Sequence, residues 1–331
     1  MKQNFEDFFV KMPKGVGEDK DKYAIAVVNL VEMFKKDEYT IPAYQRPYSW
    51  TKSEVQDLLT DLMKTMKSEK KWFCGPIFTT TSDFLDNSHF LLDGQQRMTT
   101  VFLMLRCLFS LDCLVDQDTF DKGLTFKNNE DGKSTDERMK DAYDEFQKLK
   151  KHILKILVTK KTNENSFEET ISSKFQTELS IREKFDSFIS DTEQINRENF
   201  KNLQFISASQ KDKYAPTLKR INANLSFIYS ELEKTLLQPN GLEILCGLGK
   251  HLTYNLMFIR IPLNKKGDVL DIFETLNSRG KPLALTDLIR FKTLKAGDPE
   301  KMKKIEKIWA DIFYYSGLLS EKNYFTSTDA F

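Results

Sequence analysis

An apolar run that stops on a glycine and resumes as a helix constrains this chain more than any other feature. His89–Leu105 reads HFLLDGQQRMTTVFLML. SHFLLD has the apolar character and length of a strand, and Gly94 punctuates it. MTTVFLMLRCLFSL is apolar almost all round, which predicts a buried helix. A plain turn needs only the glycine. Asp93, Gln95, Gln96 and Arg97 are more than folding asks for at this junction.

The neighbouring segments agree with a sheet. WFCGPIFTTT (72–81) and SHFLLD (88–93) predict two strands joined by a polar turn, and LMFIRIPL (256–263) predicts a strand returning to the same sheet. Residues 21–36 carry apolar residues at helical spacing and predict a helix. EYTIPAYQRPYSW must be extended, because Pro42 and Pro47 forbid a regular helix. In TKSEVQDLLTDLMKTMKS, Thr51 and Glu54 have capping-box spacing, and Val55, Leu58, Leu59, Leu62 and Met66 form one apolar face. From about 115 to 214 the chain turns rich in Lys, Glu, Asp and Asn, and no glycine falls between Gly132 and Gly241. Helices suit that stretch better than strands. The expected class is α+β, a small mixed sheet with a large helical portion. The expected organisation is a core from 1–115 plus about 250–296, a helical insertion over 116–249, and the start of a C-terminal helical region at 297–331.

Bulk numbers exclude several classes. At 40% apolar and 30% charged, the composition is that of a folded soluble protein. With 50 Lys and Arg against 49 Asp and Glu, any nucleic-acid surface has to be a local patch. Cys74, Cys107, Cys113 and Cys246 form no CxxC pair and read as reduced thiols. The N-terminal MKQNFEDFFVKMPKG has no apolar h-region, and no apolar run approaches the ~20 residues of a membrane span. The expected location is the cytoplasm. The abrupt end at NYFTSTDAF reads as a cut boundary or truncated gene rather than a natural terminus.

Three segments set polar groups among apolar neighbours: IPAYQRPYSW, LLDGQQRMTT and FETLNSRGKPLALTDLIR. At the second, a helix N-terminus presents free N–H groups and about half a positive charge, which attract anions. Gly94 lets backbone approach a ligand, and Arg97 offers a fork of donors for phosphate oxygens. Asp93 is placed to hold Mg²⁺ or orient a water, and Gln95 and Gln96 suit the placing of an attacking water or the reading of a base edge. A plainer reading competes. Asp93 and Thr99 cap the helix while Arg97 pairs with a nearby acid, and spacing alone leaves the two level.

In IPAYQRPYSW, Tyr44, Tyr48 and Trp50 interleave with Gln45 and Arg46, aromatic faces beside groups that grip phosphate. A proline-rich edge whose aromatics fill the core fits Tyr48 and Trp50 equally. In FETLNSRGKP, Asn277 and Arg279 sit at a helix end closed by Gly280, and Arg279 with Lys281 makes a small basic turn. DGKST at 131–135 imitates the end of a Walker A loop, but the first glycine of that motif falls at Lys127. His89, His152 and His251 are scattered without metal or triad spacing.

Together the three segments, in this order, resemble the N-terminal domain of GmrSD-type, modification-dependent restriction proteins, a family with a ParB/sulfiredoxin-like nucleotidase core. IPAYQRPYSW is similar to its IPxYQRxYxW segment, LLDGQQRMTT to its DGQQR motif, and FETLNSRGKPLALTDLIR to its FxxLNxRGxPLxxxDLI segment. Direct coverage is Ile41–Thr100 and Asp271–Lys292.

By their own chemistry, Asp93 would hold Mg²⁺ while Arg46, Gln45, Asn277, Arg279 and Lys281 meet the phosphates, and a pocket that holds DNA instead would use Tyr44, Tyr48 and Trp50. The resemblance implies NTP binding and hydrolysis at Asp93, Gly94, Gln95, Gln96 and Arg97. It also implies a role in anti-phage defence that couples hydrolysis and sensing of modified DNA to a nuclease. That nuclease is usually an HNH-type domain, in the same chain or on a partner subunit, and a homo-oligomer is compatible with it. No histidine follows His251, so this chain alone is not expected to cut DNA. Two other readings stay open: a DNA- or nucleotide-binding module without turnover, and a scaffold that docks a nuclease subunit.

Overall fold

The computed structural model describes residues 25–42, 45–68, 70–81, 88–111, 135–162, 169–177, 181–191 and 215–263, with six more between 304 and 312. The two predicted strands form with the expected bounds: β3 is Trp72–Thr81 and β4 is Ser88–Asp93. They pair antiparallel with a bulge after Phe78, which sets Phe78 opposite Asp93. The returning strand β8, Leu256–Pro262, lies between β3 and β1 (Ala26–Asn29), parallel to the first and antiparallel to the second. On the far side of β4 come β2 (Glu38–Thr40) and a short edge strand β7 (Phe175–Gln176), both parallel. The six-stranded order is β1-β8-β3-β4-β2-β7.

The helix expected over 21–36 is corrected within the described residues. Ala26–Asn29 is strand, and only Leu30–Met33 (α1) is helical. Alanine and valine fit either state, and pairing of Val27 and Val28 with Ile259 and Phe258 decides for the sheet. Asn29 then starts the helix through a reciprocal capping box with Glu32, both bonds 2.9 Å.

Thr51 caps α2 (Lys52–Met66) as the spacing predicts, its N–H donating to Glu54 Oε2 at 2.8 Å. Val55, Leu58, Leu59 and Leu62 are the buried face. In α3 (Gln95–Phe109) every residue except Arg97 and Phe109 is buried, so the helix is surrounded. Around it pack α4 (Thr135–Leu157), α5 (Arg182–Ser190), α6 (Ala215–Leu236) and α7 (Gly241–Lys250), the last running through a π-helical turn, His251–Asn255, into β8.

The stretch 116–249 is not helical throughout. Besides β7 it holds an antiparallel pair, β5 (Val158–Thr162) and β6 (Glu169–Ser173), whose β-branched residues favour extension. The class is α+β. Alternation along β4 splits the core: Leu91 faces the main cluster with Phe102, Phe146 and Phe258, while Leu92 joins Phe78 and Leu263 on the other face. Among the described residues no helix is long and apolar enough to cross a membrane.

Candidate functional site

Gly94 turns the end of β4 into α3. Its φ is +88°, and an added Cβ would stand 2.7 Å from Ile77 Cγ2. Only glycine fits a left-handed residue with a neighbour that close. Gly94 is also the N-cap residue, and no side chain caps the helix among the described residues. Asp93 therefore does not cap it, and Thr99 lies buried inside the helix, so the capping reading is corrected. The Met98 N–H bonds Gly94 O at 3.0 Å to close the first turn. The N–H groups of Gln95, Gln96 and Arg97 lead the helix without a side-chain acceptor, directly after a left-handed residue. That arrangement concentrates positive potential.

Among the described residues Arg97 meets no acid. Its guanidinium donates to the carbonyls of Cys74 and Pro76, the second at 2.8 Å, and straddles Gly75. A Cβ on Gly75, whose φ is +115°, would fall 2.0 Å from Arg97 Nη1. Arg97 thus ties the irregular start of β3 to the first turn of α3. Burial pushes the adjacent Cys74 thiol up to about 11, with Arg97 partly opposing.

Both ends of the Gln96 amide are used by one strand of chain. Oε1 accepts from Ser49 N at 2.7 Å, and Nε2 donates to Pro47 O at 3.3 Å. Gln95 Nε2 donates to Gln45 Oε1 at 3.1 Å, and Gln45 Nε2 donates to Leu92 O at 2.7 Å. The remaining oxygen, Gln95 Oε1, is buried and has no hydrogen-bond partner among the described residues. The first two motifs are therefore one unit, stitched side chain to backbone. Tyr48, expected to face DNA, is 2% exposed, and its hydroxyl bonds Thr100 Oγ1 at 2.8 Å. Burial pushes that hydroxyl up to about 12. A ring so enclosed cannot stack on a base, and Trp50 packs half-buried against the same core.

Asp93 and Arg46 are half-buried, and neither side chain has a bonded partner among the described residues. Among the described residues no group of three or more potential metal ligands occurs, so Asp93 is not part of a preformed metal cluster there. One carboxylate is what Mg²⁺ carried on substrate phosphates requires, since that ion keeps waters and phosphate oxygens as its other ligands. Tyr44, Asn277, Arg279 and Lys281 lie outside the described residues. The histidines sit elsewhere: His89 is 3.5 Å from Asp37, His152 is 3.2 Å from Tyr254, and His251 is 3.0 Å from Thr65.

Two residues that sequence reasoning passed over complete the unit. Asn224 of α6 donates to Tyr48 Oη at 3.1 Å and to Trp50 O at 2.8 Å, and Arg220 donates to Tyr48 O at 3.2 Å. The available signal was a lone asparagine on the apolar face of RINANLSFI, 1% exposed in the fold.

Residues 29–294 match the family model for the GmrSD restriction endonuclease, N-terminal domain. The chain belongs to that family. A comparison with individual curated proteins finds no match. As a GmrSD N-terminal domain it is part of a restriction system, a family that implies a nuclease partner domain and interaction with DNA. The matched span takes in all three motifs and the segment 116–249. In this GmrSD domain β7 from that segment extends the motif-bearing sheet.

Proposed function

We propose that this GmrSD domain binds a nucleoside triphosphate at the Gly94 junction and hydrolyses it, relaying nucleotide state and DNA sensing to an HNH-type nuclease in cis or in trans. The observation that carries the reading is the uncapped start of α3 behind a left-handed glycine, with Asp93, Arg46 and the Gln95 oxygen all without a bonded partner among the described residues. Phosphate oxygens would take the N–H groups of Gln95, Gln96 and Arg97. Arg46 would enter as a mobile cation against the charge on the transferred phosphoryl group. Asp93 would hold Mg²⁺, which when bound neutralises phosphate charge. Gln95 Oε1, fixed by the Gln45 link, would accept a hydrogen bond from an attacking water; the water oxygen bonds the γ-phosphorus as the bridging P–O bond breaks, giving a nucleoside diphosphate and phosphate, with the water's proton passing to the phosphate and on to solvent.

Arg97 and Gln96 take different roles from those first assigned. Both act as positioning residues, because their polar ends are spent on backbone. That same engagement favours a second reading, a nucleotide-binding switch without turnover.

Phosphate release from several NTPs, with and without Mg²⁺ and DNA, separates the two. Hydrolysis predicts release by the wild type and about 10²-fold less from Gln95→Ala. Nucleotide binding with no release supports the switch. Neither binding nor release contradicts both and leaves a scaffold for the nuclease.

A further inference from the structure

A near-even total of 50 basic and 49 acidic residues hides an uneven distribution. Where α1, the end of α4 and β5 meet, a cleft of about 320 Å³ has a floor of Val31, Phe34, Ile156 and Val158. Its rim is cationic: Lys35, Lys155, Lys160 and Lys174, with His152 beside them. Among the described residues no carboxylate lines it. Lys148 and Lys151 lie one turn before His152 and Lys155, all four exposed, so the cationic ridge continues along α4.

Several surrounding acids are engaged, and Asp144 lies exposed one turn before Lys148 on α4. Glu38 pairs with Lys161 at 3.2 Å and Glu169 with Lys160 at 3.4 Å. Asp37 faces His89 and Arg260, and Glu145 pairs with Lys250. Lys35 and Lys155 make no ion pair among the described residues. A helix C-terminus attracts a cation or two, and Lys155 alone meets that need at the end of α4. It does not account for Lys35, just past α1; Lys160 leans on Glu169, and Lys174 Nζ donates to Phe34 O at 2.7 Å.

From Lys148 to Lys155 the ridge runs about 10 Å at 1.5 Å per residue. Duplex DNA presents a charge about every 1.7 Å of its axis. Compact ammonium groups on flexible stems suit such a row without reading bases. We infer that this cleft and ridge form the face on which the domain holds the phosphate backbone of duplex DNA, independent of sequence. It borders the end of the sheet where Glu38 is level with Ser88, opposite the end of β4 that carries Asp93. The inference rests on the DNA role of the family and not on turnover at the Gly94 junction.

The test is anisotropy of a labelled duplex of arbitrary sequence, titrated with the whole chain at several salt concentrations. Lys148→Gln, Lys155→Gln and Lys160→Gln are combined in one variant, and Lys64→Gln with Lys67→Gln on α2 form a control. Affinity of the wild type should fall linearly on a log–log salt plot. The triple variant should lower that slope by roughly 0.9 per lost contact and bind at least about tenfold more weakly. The control should match the wild type, and nucleotide binding should be unchanged in both. No duplex binding by the wild type, an unchanged slope in the triple variant, equal loss in the control, or tighter binding to polyglutamate than to DNA would each overturn the assignment.

Discussion

Two glycines and one arginine define the junction at the residue scale. Gly94 allows the left-handed step and leaves Ile77 room, and Gly75 makes room for the Arg97 fork. Gly94→Ala is expected to cost about 1–3 kcal/mol in chemical denaturation, from φ strain and the 2.7 Å contact together. The importance of Gly94 was legible, because a strand and a buried helix leave no other residue for so sharp a turn. The role of Arg97 was not. A guanidinium presents the same donors to phosphate and to carbonyl, and only the register of β3 brings the Cys74 and Pro76 oxygens within reach.

Tyr39 and Tyr48 give a pH signature. Burial pushes both hydroxyls up to about 12 from the usual 10. Each folded value is raised, so the associated stability is complete below pH 10 and is lost as pH rises towards 12. Thermal melts should fall through that window, and a Tyr39→Phe, Tyr48→Phe double variant should show a shallower decline.

At the element scale, the irregular segment 45–50 is fixed from two sides, by Gln96 and Thr100 of α3 and by Asn224 and Arg220 of α6. Asn224→Ala is expected to cost about 1–3 kcal/mol, since it leaves the Trp50 carbonyl without its side-chain donor. A double-mutant cycle with Tyr48→Phe should show coupling of at least about 0.5 kcal/mol, and strict additivity would mean the two do not share a network. Sequence resolved elements whose signal is local. The Thr51–Glu54 box depends on a three-residue spacing, and α3 on unbroken apolarity. It failed at β1, where alanines and valines fit either state and a partner more than two hundred residues away decides. It also missed β5–β7, because VTKKT and ETISS sit in a charged, polar stretch and β7 is two residues long, so only their pairing partners reveal them.

For the whole molecule, the sheet closes only when β8, which follows the helices in sequence, enters between β1 and β3. One apolar cluster runs from Leu30 through α3 and α4 to Phe258. The described residues should therefore unfold in one cooperative step, with far-UV dichroism and tyrosine fluorescence coincident. Phe258→Ala, which opens a cavity at a fully buried site, is expected to cost about 3–5 kcal/mol in that single transition. Two separated transitions would mean that sheet and helices are independent.

On that frame the Gly94 junction and the lysine ridge lie at opposite ends of β4, one proposed for a nucleotide and the other for duplex DNA. Amide chemical shifts of the intact chain, titrated with a non-hydrolysable NTP analogue and Mg²⁺, test the nucleotide end most directly. The Gln95, Gln96 and Arg97 amides should shift first and saturate together. Shifts confined to residues around Lys35 and Lys155, or none in the first turn of α3, would contradict a phosphate site at the junction.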